Sequence, residues 1–521
     1  MTALTSPLPE RLVSGGDTRT VLNPETGLNK YGCSPEPREA LALGSCTSSS
    51  PSVRAYAAAE AALERLRSAE ATGDATAPAA MVEEIRERLL RLLHCDAVPG
   101  LEVALTPSGT DAEMLVTALA LGDGSAPLRN IVTAPAEVGG GTRQAAACEH
   151  FSELLPSGRT AEVGTPVDED FCARVAVEVI RLRDESGDLR DDAAIDEQAR
   201  ALVEAALARG ERVLLHLVAH SKTGAHVPSE ALARELRDAA PDRVTVLVDA
   251  AQGRVGQGYL RAAVQDGFIV LFTGSKFYGG PPFSGALLVP ESLSPATRPL
   301  APLPAAFSDY FTRLDCPPSW RDFVAALPAG PAPGGLLRWQ AALAEIEAWF
   351  AIAPELRNRI AEAFEAMVPR ALGGSPHLKL DSVAPEHESK GADFAECTTV
   401  HCFTVHAPDG AAYGKAELKS IHAAVNIDLS RHAGEDAELA EILRPGFHIG
   451  QPVVIGKESG LAVLRVAMGA PLAVRLASET GLGAALEDRF QWLEGQLGVL
   501  RRKLDWLAEN LELVTRDGGT A

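Results

Sequence analysis

The chain has 521 residues, a net charge of −22 and 46% apolar residues. That length allows two to four domains with sizeable cores. The acidic balance and the lack of a basic run argue against an electrostatic nucleic-acid binder, and no apolar stretch approaches membrane-spanning length. Cys33, Cys46, Cys95, Cys148, Cys172, Cys316, Cys397 and Cys402 are scattered and form no C-x-x-C pair. Free thiols in a reducing cytosol therefore fit better than a disulfide framework or a zinc site. The first twenty residues lack the long apolar core of a secretory signal. A soluble, cytoplasmic protein without bound metal is expected.

Residues 1–50 are rich in Gly, Pro, Ser and Thr and read as an N-terminal arm. An Ala/Leu/Arg-rich helical pattern follows GSCTSSSPS, and Met81–His94 has apolar residues at helical spacing. From about Leu101 to Val289 short β-branched runs (VEVIRL, RVLLHLV, VTVLVD, FIVLF, GALLV) alternate with helical stretches such as DEQARALVEAALARG and SEALARELRDAA. The alternation predicts an α/β unit over 51–334, a mainly parallel sheet flanked by helices. Its last part, 290–334, is proline-rich and reads as an ordered excursion or a lid rather than a core element. A smaller α+β unit is expected over 335–521. It opens on the helix GLLRWQAALAEIEAWF, takes TTVHCFTVHA, AAVNIDLS and LAVLRVAMG as strands, and has helices near 415–424 and 482–513.

Two residues carry the strongest chemical signal. Asp249 ends the run VTVLVD, and Lys276 follows FIVLFTGS, the next apolar run. A lysine after small hydroxyl residues at one strand end, beside a strand ending in aspartate, suits a pyridoxal-phosphate enzyme. The amine forms a Schiff base with the cofactor aldehyde, and the carboxylate keeps the pyridine nitrogen protonated so that the ring accepts electrons. Upstream, SGTDAE (Ser108–Glu113) precedes an apolar helical run and offers free N–H groups and a positive dipole end to a phosphate. Arg465 lies inside the apolar LAVLRVAMG; a buried arginine needs an anion, either a substrate carboxylate or a structural salt-bridge partner. Taken singly, Asp249 also reads as a cap, Lys276 as a strand-end lysine and Ser108 as an ordinary N-cap.

In this chain order the features resemble the class V aminotransferase family of fold-type-I pyridoxal-phosphate enzymes, most of all its cysteine desulfurase branch. The matching stretches are VDAAQ (Val248–Gln252), TGSKFYGGPPFSGALLV, SGTDAE, GFHIGQP (Gly446–Pro452) and LRVAMG. The resemblance implies a large domain with a seven-stranded, mainly parallel sheet, a smaller C-terminal domain and a homodimer. It implies that Lys276 carries the cofactor, Asp249 holds the pyridine nitrogen and Gln252 lies near the ring oxygen. Ser108, Gly109, Thr110, Thr273 and Ser275 would hold the phosphate, and Thr223 in HSKTG would lie beside the ring. Arg465 would bind the substrate carboxylate, with His448 and Tyr31 near the substrate. The N-terminal NKYGCSP and GSCTSSS would fold over the site, with Ser45 a further candidate.

The departures bear on the reaction. Ile449 stands where one desulfurase group has its sulfur-accepting cysteine, and Cys397 and Cys402 fall only roughly where another group has it. An isoleucine cannot carry a persulfide. The family's ring-stacking histidine is missing from APAEVGGGTR, which leaves Glu137, Val138 or Thr142 to cover the ring. Three readings follow. They are an aminotransferase-like enzyme on an α-amino acid, a carbon–sulfur or other β-eliminating lyase, and a cofactor-binding protein without catalysis.

Overall fold

The computed structural model describes residues 5–330, 333–381, 394–456, 459–478 and 485–516. Its large sheet runs in the spatial order Glu102–Thr106, Gly285–Val289, Ile269–Thr273, Val244–Ala250, Arg212–Ala219, Leu128–Thr133 and Val175–Ile180. Gly285–Val289 is antiparallel to both neighbours and the remaining pairs are parallel. The short His226–Val227 pairs antiparallel with Arg212–Ala219 at the sheet face. Central strands such as VTVLVDA are apolar almost throughout because helices cover both faces of the sheet. Side-chain caps start several helices: Ser108 before Gly109–Leu121, Asp191 before Asp192–Ala208 and Ser229 before Glu230–Ala239.

A second sheet has the order Leu41–Leu43, Phe447–Val454, Ala462–Ala467, Val400–Val405 and Leu378–Leu380. Its first member comes from the N-terminal arm and pairs in parallel with Phe447–Val454. The helices Lys415–Val425, Pro354–Leu372 and Leu486–Arg516 pack together on this sheet. The arm's opening helix, Leu8–Val13, lies on Pro333–Phe350, where Arg338 donates to the carbonyls of Leu12 and Ser14. Among the described residues no helix is long and apolar enough to cross a membrane.

Two expectations change. AAVNIDLS is not a strand: its first residues complete the helix Lys415–Val425, and a short 3-10 turn follows at Ser430–Ala433. Leu418, Ile421, His422, Ala424 and Val425 are its buried positions, a helical spacing that overrides the β-branched local composition. The proline-rich excursion is core rather than lid. Phe307, Tyr310, Phe311, Trp320, Phe323 and Val324 are buried in one cluster with the helix Gly109–Leu121, which is therefore covered nearly all round. Trp320 is fully buried, and its indole N–H donates to Glu102 Oε2 at 2.6 Å. Prolines set the turns, and the aromatics between them supply the buried area. Trp320→Ala should cost roughly 3–5 kcal/mol of unfolding free energy. Denaturant titration checks this, and a loss below about 1 kcal/mol would fit a surface lid instead.

Candidate active site

Ligands of open α/β sheets bind beyond the carboxyl ends of the strands. Here those ends open onto a cavity of about 1260 Å3. Asp249 reaches it from Val244–Ala250, Lys276 from the turn after Ile269–Thr273, and Ser108 from the turn after Glu102–Thr106. Arg465 enters from the second sheet, and Tyr31 from the arm.

The start of Gly109–Leu121 forms one end of the cavity. Ser108 Oγ accepts the N–H groups of Thr110 and Asp111 at 3.2 and 3.4 Å. A Cβ on Gly109 would come within 3.1 Å of Leu271 and 3.4 Å of Thr273, so glycine keeps this approach open. Thr273 donates its hydroxyl to the Ala251 carbonyl at 2.6 Å, tying this corner to the turn after Asp249. The arm adds a residue the sequence reading missed. Arg19 donates to Thr110 Oγ1 at 3.1 Å and Ser108 Oγ at 3.0 Å, pairs with Asp17 at 2.7 Å, and lies over the Phe283 ring at 4.6 Å. Beside it, Asp111 is fully buried. Its Oδ2 takes the Ser108 hydroxyl and its Oδ1 has no partner. Burial pushes this carboxyl up to about 7 against the pull of Arg19.

At the centre, Asp249 Oδ1 accepts the Ala251 N–H at 3.0 Å. Burial raises its carboxyl, and Lys276 acts in the opposite sense. The Lys276 amine is lowered by burial, with Asp249 raising it and Arg465 lowering it. Glu113, also on the wall, is pushed well above the usual carboxylate range by burial and then by Asp249. Its Oε2 lies 3.6 Å from Nε2 of His216, an imidazole that burial holds neutral by lowering it to about 3. Glu113 thus holds its proton more tightly than an exposed carboxyl does.

Arg465 is 1% exposed and makes no ion pair among the described residues. It donates instead to the Gln451 carbonyl at 2.7 Å, Thr47 Oγ1 at 3.0 Å and the Lys222 carbonyl at 3.3 Å. The salt-bridge alternative is therefore not what the structure holds, and its charge is open to an anion from the cavity. Gly450 permits this packing: a Cβ there would meet Cys46 Sγ at 2.5 Å and Arg465 Cβ at 3.0 Å. Lys222, one residue from the Thr223 singled out by sequence, also lines the cavity. Burial first, then Arg465 and Lys276, lower its amine to about 7.

The structure brings Ser108, Gly109, Thr110, Asp249, Thr273, Ser275, Lys276, Arg465 and Tyr31 to one cavity wall. It leaves Thr223, Gln252 and His448 off that wall. Thr223 is fully buried and gives its hydroxyl to Glu137. Gln252 donates to the Cys46 carbonyl at 3.1 Å and leaves its Oε1 without a partner. His448 lies behind the arm, with Nε2 2.7 Å from the Ser48 carbonyl. Ser45 bonds to the Met468 carbonyl at 2.6 Å and accepts from Arg254 at 2.7 Å, also away from the wall. Of the three ring-cover candidates only Thr142 lines the cavity, together with Gly139, Gly140 and Gly141. Val138 is buried off the wall, and Glu137 is turned away by an ion pair with Arg183 at 2.7 Å. Neither Cys397 nor Cys402 lines it; Cys402 is buried, and burial raises its thiol.

No family model and no curated protein sequence matches the chain. Solved structures do. Mouse CSAD is 14% identical with a TM-score of 0.50, over 89% of this chain and 83% of that one. A C-DES mutant with glycine covalently linked to its PLP cofactor is 13% identical with a TM-score of 0.50, over 88% and 96%. A NifS-like protein is 13% identical with a TM-score of 0.50, over 88% and 100%. The chain has the fold of the fold-type-I pyridoxal-phosphate-dependent transferases.

The buried Asp111 makes stability depend on pH. Its carboxyl keeps its proton in the fold to about pH 7 and titrates near pH 4 when unfolded. The fold binds the extra proton between those values, so this contribution weakens as pH rises from about 4 to 7. Asp111→Asn should flatten the fall in Tm across that window, as measured by calorimetry against the parent chain.

Proposed function

We propose that this chain is a pyridoxal-phosphate-dependent enzyme acting on an α-amino acid, aminotransferase-like, with Lys276 as the cofactor-bearing residue. The convergence of Lys276, Asp249 and the Gly109–Leu121 N-terminus on one cavity carries the reading. The residues fit the group: an amine and a carboxyl from adjacent strand ends, a helix start kept open by Gly109, and a wall that includes Gly139, Gly140 and Gly141. When bound, the cofactor supplies an electron sink for charge developing at the substrate Cα.

Lys276 Nζ would hold the cofactor's aldehyde carbon. Once released by substrate, it would take the Cα proton, a role suited to an amine lowered by burial. Asp249 would keep a proton on the ring nitrogen. Glu113 is raised by burial and by Asp249, so its ionisation is disfavoured while Asp249 carries charge. Ser108, Thr110, the Gly109 N–H, Thr273 and Ser275 would receive the phosphate. Arg19 would join them, because Asp17 otherwise makes this end acidic and a helix end offers only about half a positive charge. Arg465 would take the α-carboxylate through its fork.

One observation favours a second reading, a β-eliminating lyase. Neither thiol position of the desulfurase resemblance is filled at the cavity: Ile449 occupies the strand position, and Cys397 and Cys402 lie off the wall, where Cys46 of the arm is the cysteine among the described residues. A substituent at Cβ would then leave directly after Lys276 removes the Cα proton. A cytoplasmic homodimer belongs to both readings, and light scattering tests the dimer.

Added pyridoxal phosphate should produce a near-visible absorption band in the parent protein and none in Lys276→Ala. A parent protein that stays colourless would overturn the reading. An amino donor alone should bleach the band and leave one equivalent of keto acid; catalytic keto-acid release from β-substituted alanines would favour the lyase. Arg19→Gln should weaken pyridoxal phosphate binding roughly tenfold or more, the loss of charge-assisted hydrogen bonds. Its affinity for pyridoxal, which lacks the phosphate, should not change.

A further inference from the structure

We propose that the substrate amino acid carries a second anionic group, a compact oxyanion received by Lys222, Lys415 and Lys419. The inference rests on the function proposed above and narrows its substrate class.

The charge distribution of the cavity carries it. Although the chain is strongly acidic, the wall holds seven Lys and Arg residues against three acidic ones. The acidic ones belong to the cofactor end. Asp17 is paired with Arg19, Asp249 acts on Lys276, and Glu113 is buried against His216. Removing Arg19 and Lys276 for the cofactor and Arg465 for the α-carboxylate leaves Lys30, Lys222, Lys415 and Lys419 without a task. None of the four makes an ion pair among the described residues. Clustered cations repel one another and stay together most readily where a ligand anion neutralises them.

Lys415 and Lys419 supply a second, independent observation. They lie one turn apart at the start of Lys415–Val425, and Lys415, Ala416, Lys419, Ser420 and Ala423 present one face of that helix to the cavity. No side chain caps the helix start. Cations are disfavoured at a helix N-terminus because its dipole is already positive there. Lys415 on that turn, with Lys419 one turn on, adds to the positive end where an acidic residue would stabilise it. Glu417 is the acidic residue of the first turn and is not on the cavity wall. Lys222 approaches from the large sheet beside Arg465, so the α-carboxylate and the second anion would be held by adjacent cations from different elements. The cavity also exceeds the usual ligand-site range of about 300–1,000 Å3, leaving room beyond cofactor and amino-acid backbone for an extended acidic side chain.

The test uses the cofactor-loaded protein and matched pairs: glutamate against glutamine, aspartate against asparagine, phosphoserine against serine. The anionic member should be preferred roughly tenfold or more in kcat/KM, since polar groups left unpaired reject the neutral analogue. Calorimetric titration with glutarate, methanesulfonate and inorganic phosphate then distinguishes carboxylate, sulfonate and phosphate as the oxyanion. Lys415→Gln/Lys419→Gln, exposed positions that should leave Tm unchanged, should reduce both the preference and the tightest probe's affinity about tenfold or more. Lys222→Met gives a third reading from a different element. Equal use of neutral and anionic partners, no probe binding, or a double variant that behaves like the parent would each overturn the proposal. A protein that develops no absorption band would instead overturn the cofactor reading on which it stands.

Discussion

A carboxyl and an amine, Asp249 and Lys276, are held largely out of water at the ends of two neighbouring strands. Neither is stable there in isolation. Burial raises the acid and lowers the amine, while each offsets the other's shift. The strands that present them must therefore be rigid and adjacent. The pairing of Val244–Ala250 with Ile269–Thr273 at the centre of the sheet, apolar on both faces, meets that demand. The antiparallel return through Gly285–Val289 then brings Glu102–Thr106 alongside, so that the helix beginning at Gly109 points its positive end into the same crevice.

Closing that crevice falls to the chain's first fifty residues. The arm is fastened at both ends, by Leu8–Val13 on Pro333–Phe350 and by Leu41–Leu43 in the second sheet. Between these anchors Arg19 and Tyr31 reach the cavity. The segment after the strand supplies Thr47 to Arg465 and Ser48 to the Ser275 carbonyl. His448, whose position in GFHIGQP suggested a substrate contact, fastens the arm by holding the Ser48 carbonyl. Arg254 is likewise structural. It is fully buried and donates to Ser45, Thr399 and the Met468 carbonyl, which joins the arm to the second sheet.

The electrostatic pattern divides the cavity. One end combines carboxyls with arginine and a helix start. The other is cationic without acidic partners. The two ends meet at Lys276, which feels Asp249 from one side and Arg465 from the other. Gly139, Gly140 and Gly141 line this cavity, and Glu137, an acid that sequence proximity places there, is withdrawn into its pair with Arg183.

Local signals in the sequence determined the parts whose physics is local. Apolar strands ending in Asp249 and before Lys276, a Ser108 cap with Gly109 after it, and the alternation of strand and helix were all legible. Each depends on residues near one another in the chain. What tertiary structure alone decided were contacts between distant segments. Arg19 reaches Ser108 and Thr110 across some ninety residues. Lys222 rather than Thr223 faces the cavity, because the turn closed by Ser221 and Gly224 directs the Thr223 hydroxyl inward to Glu137. The proline-rich excursion became core because its aromatics, spaced without period, found the exposed side of a helix more than 180 residues earlier. Charge pairing and burial act through space, so the partners that set each residue's role could not be read along the chain.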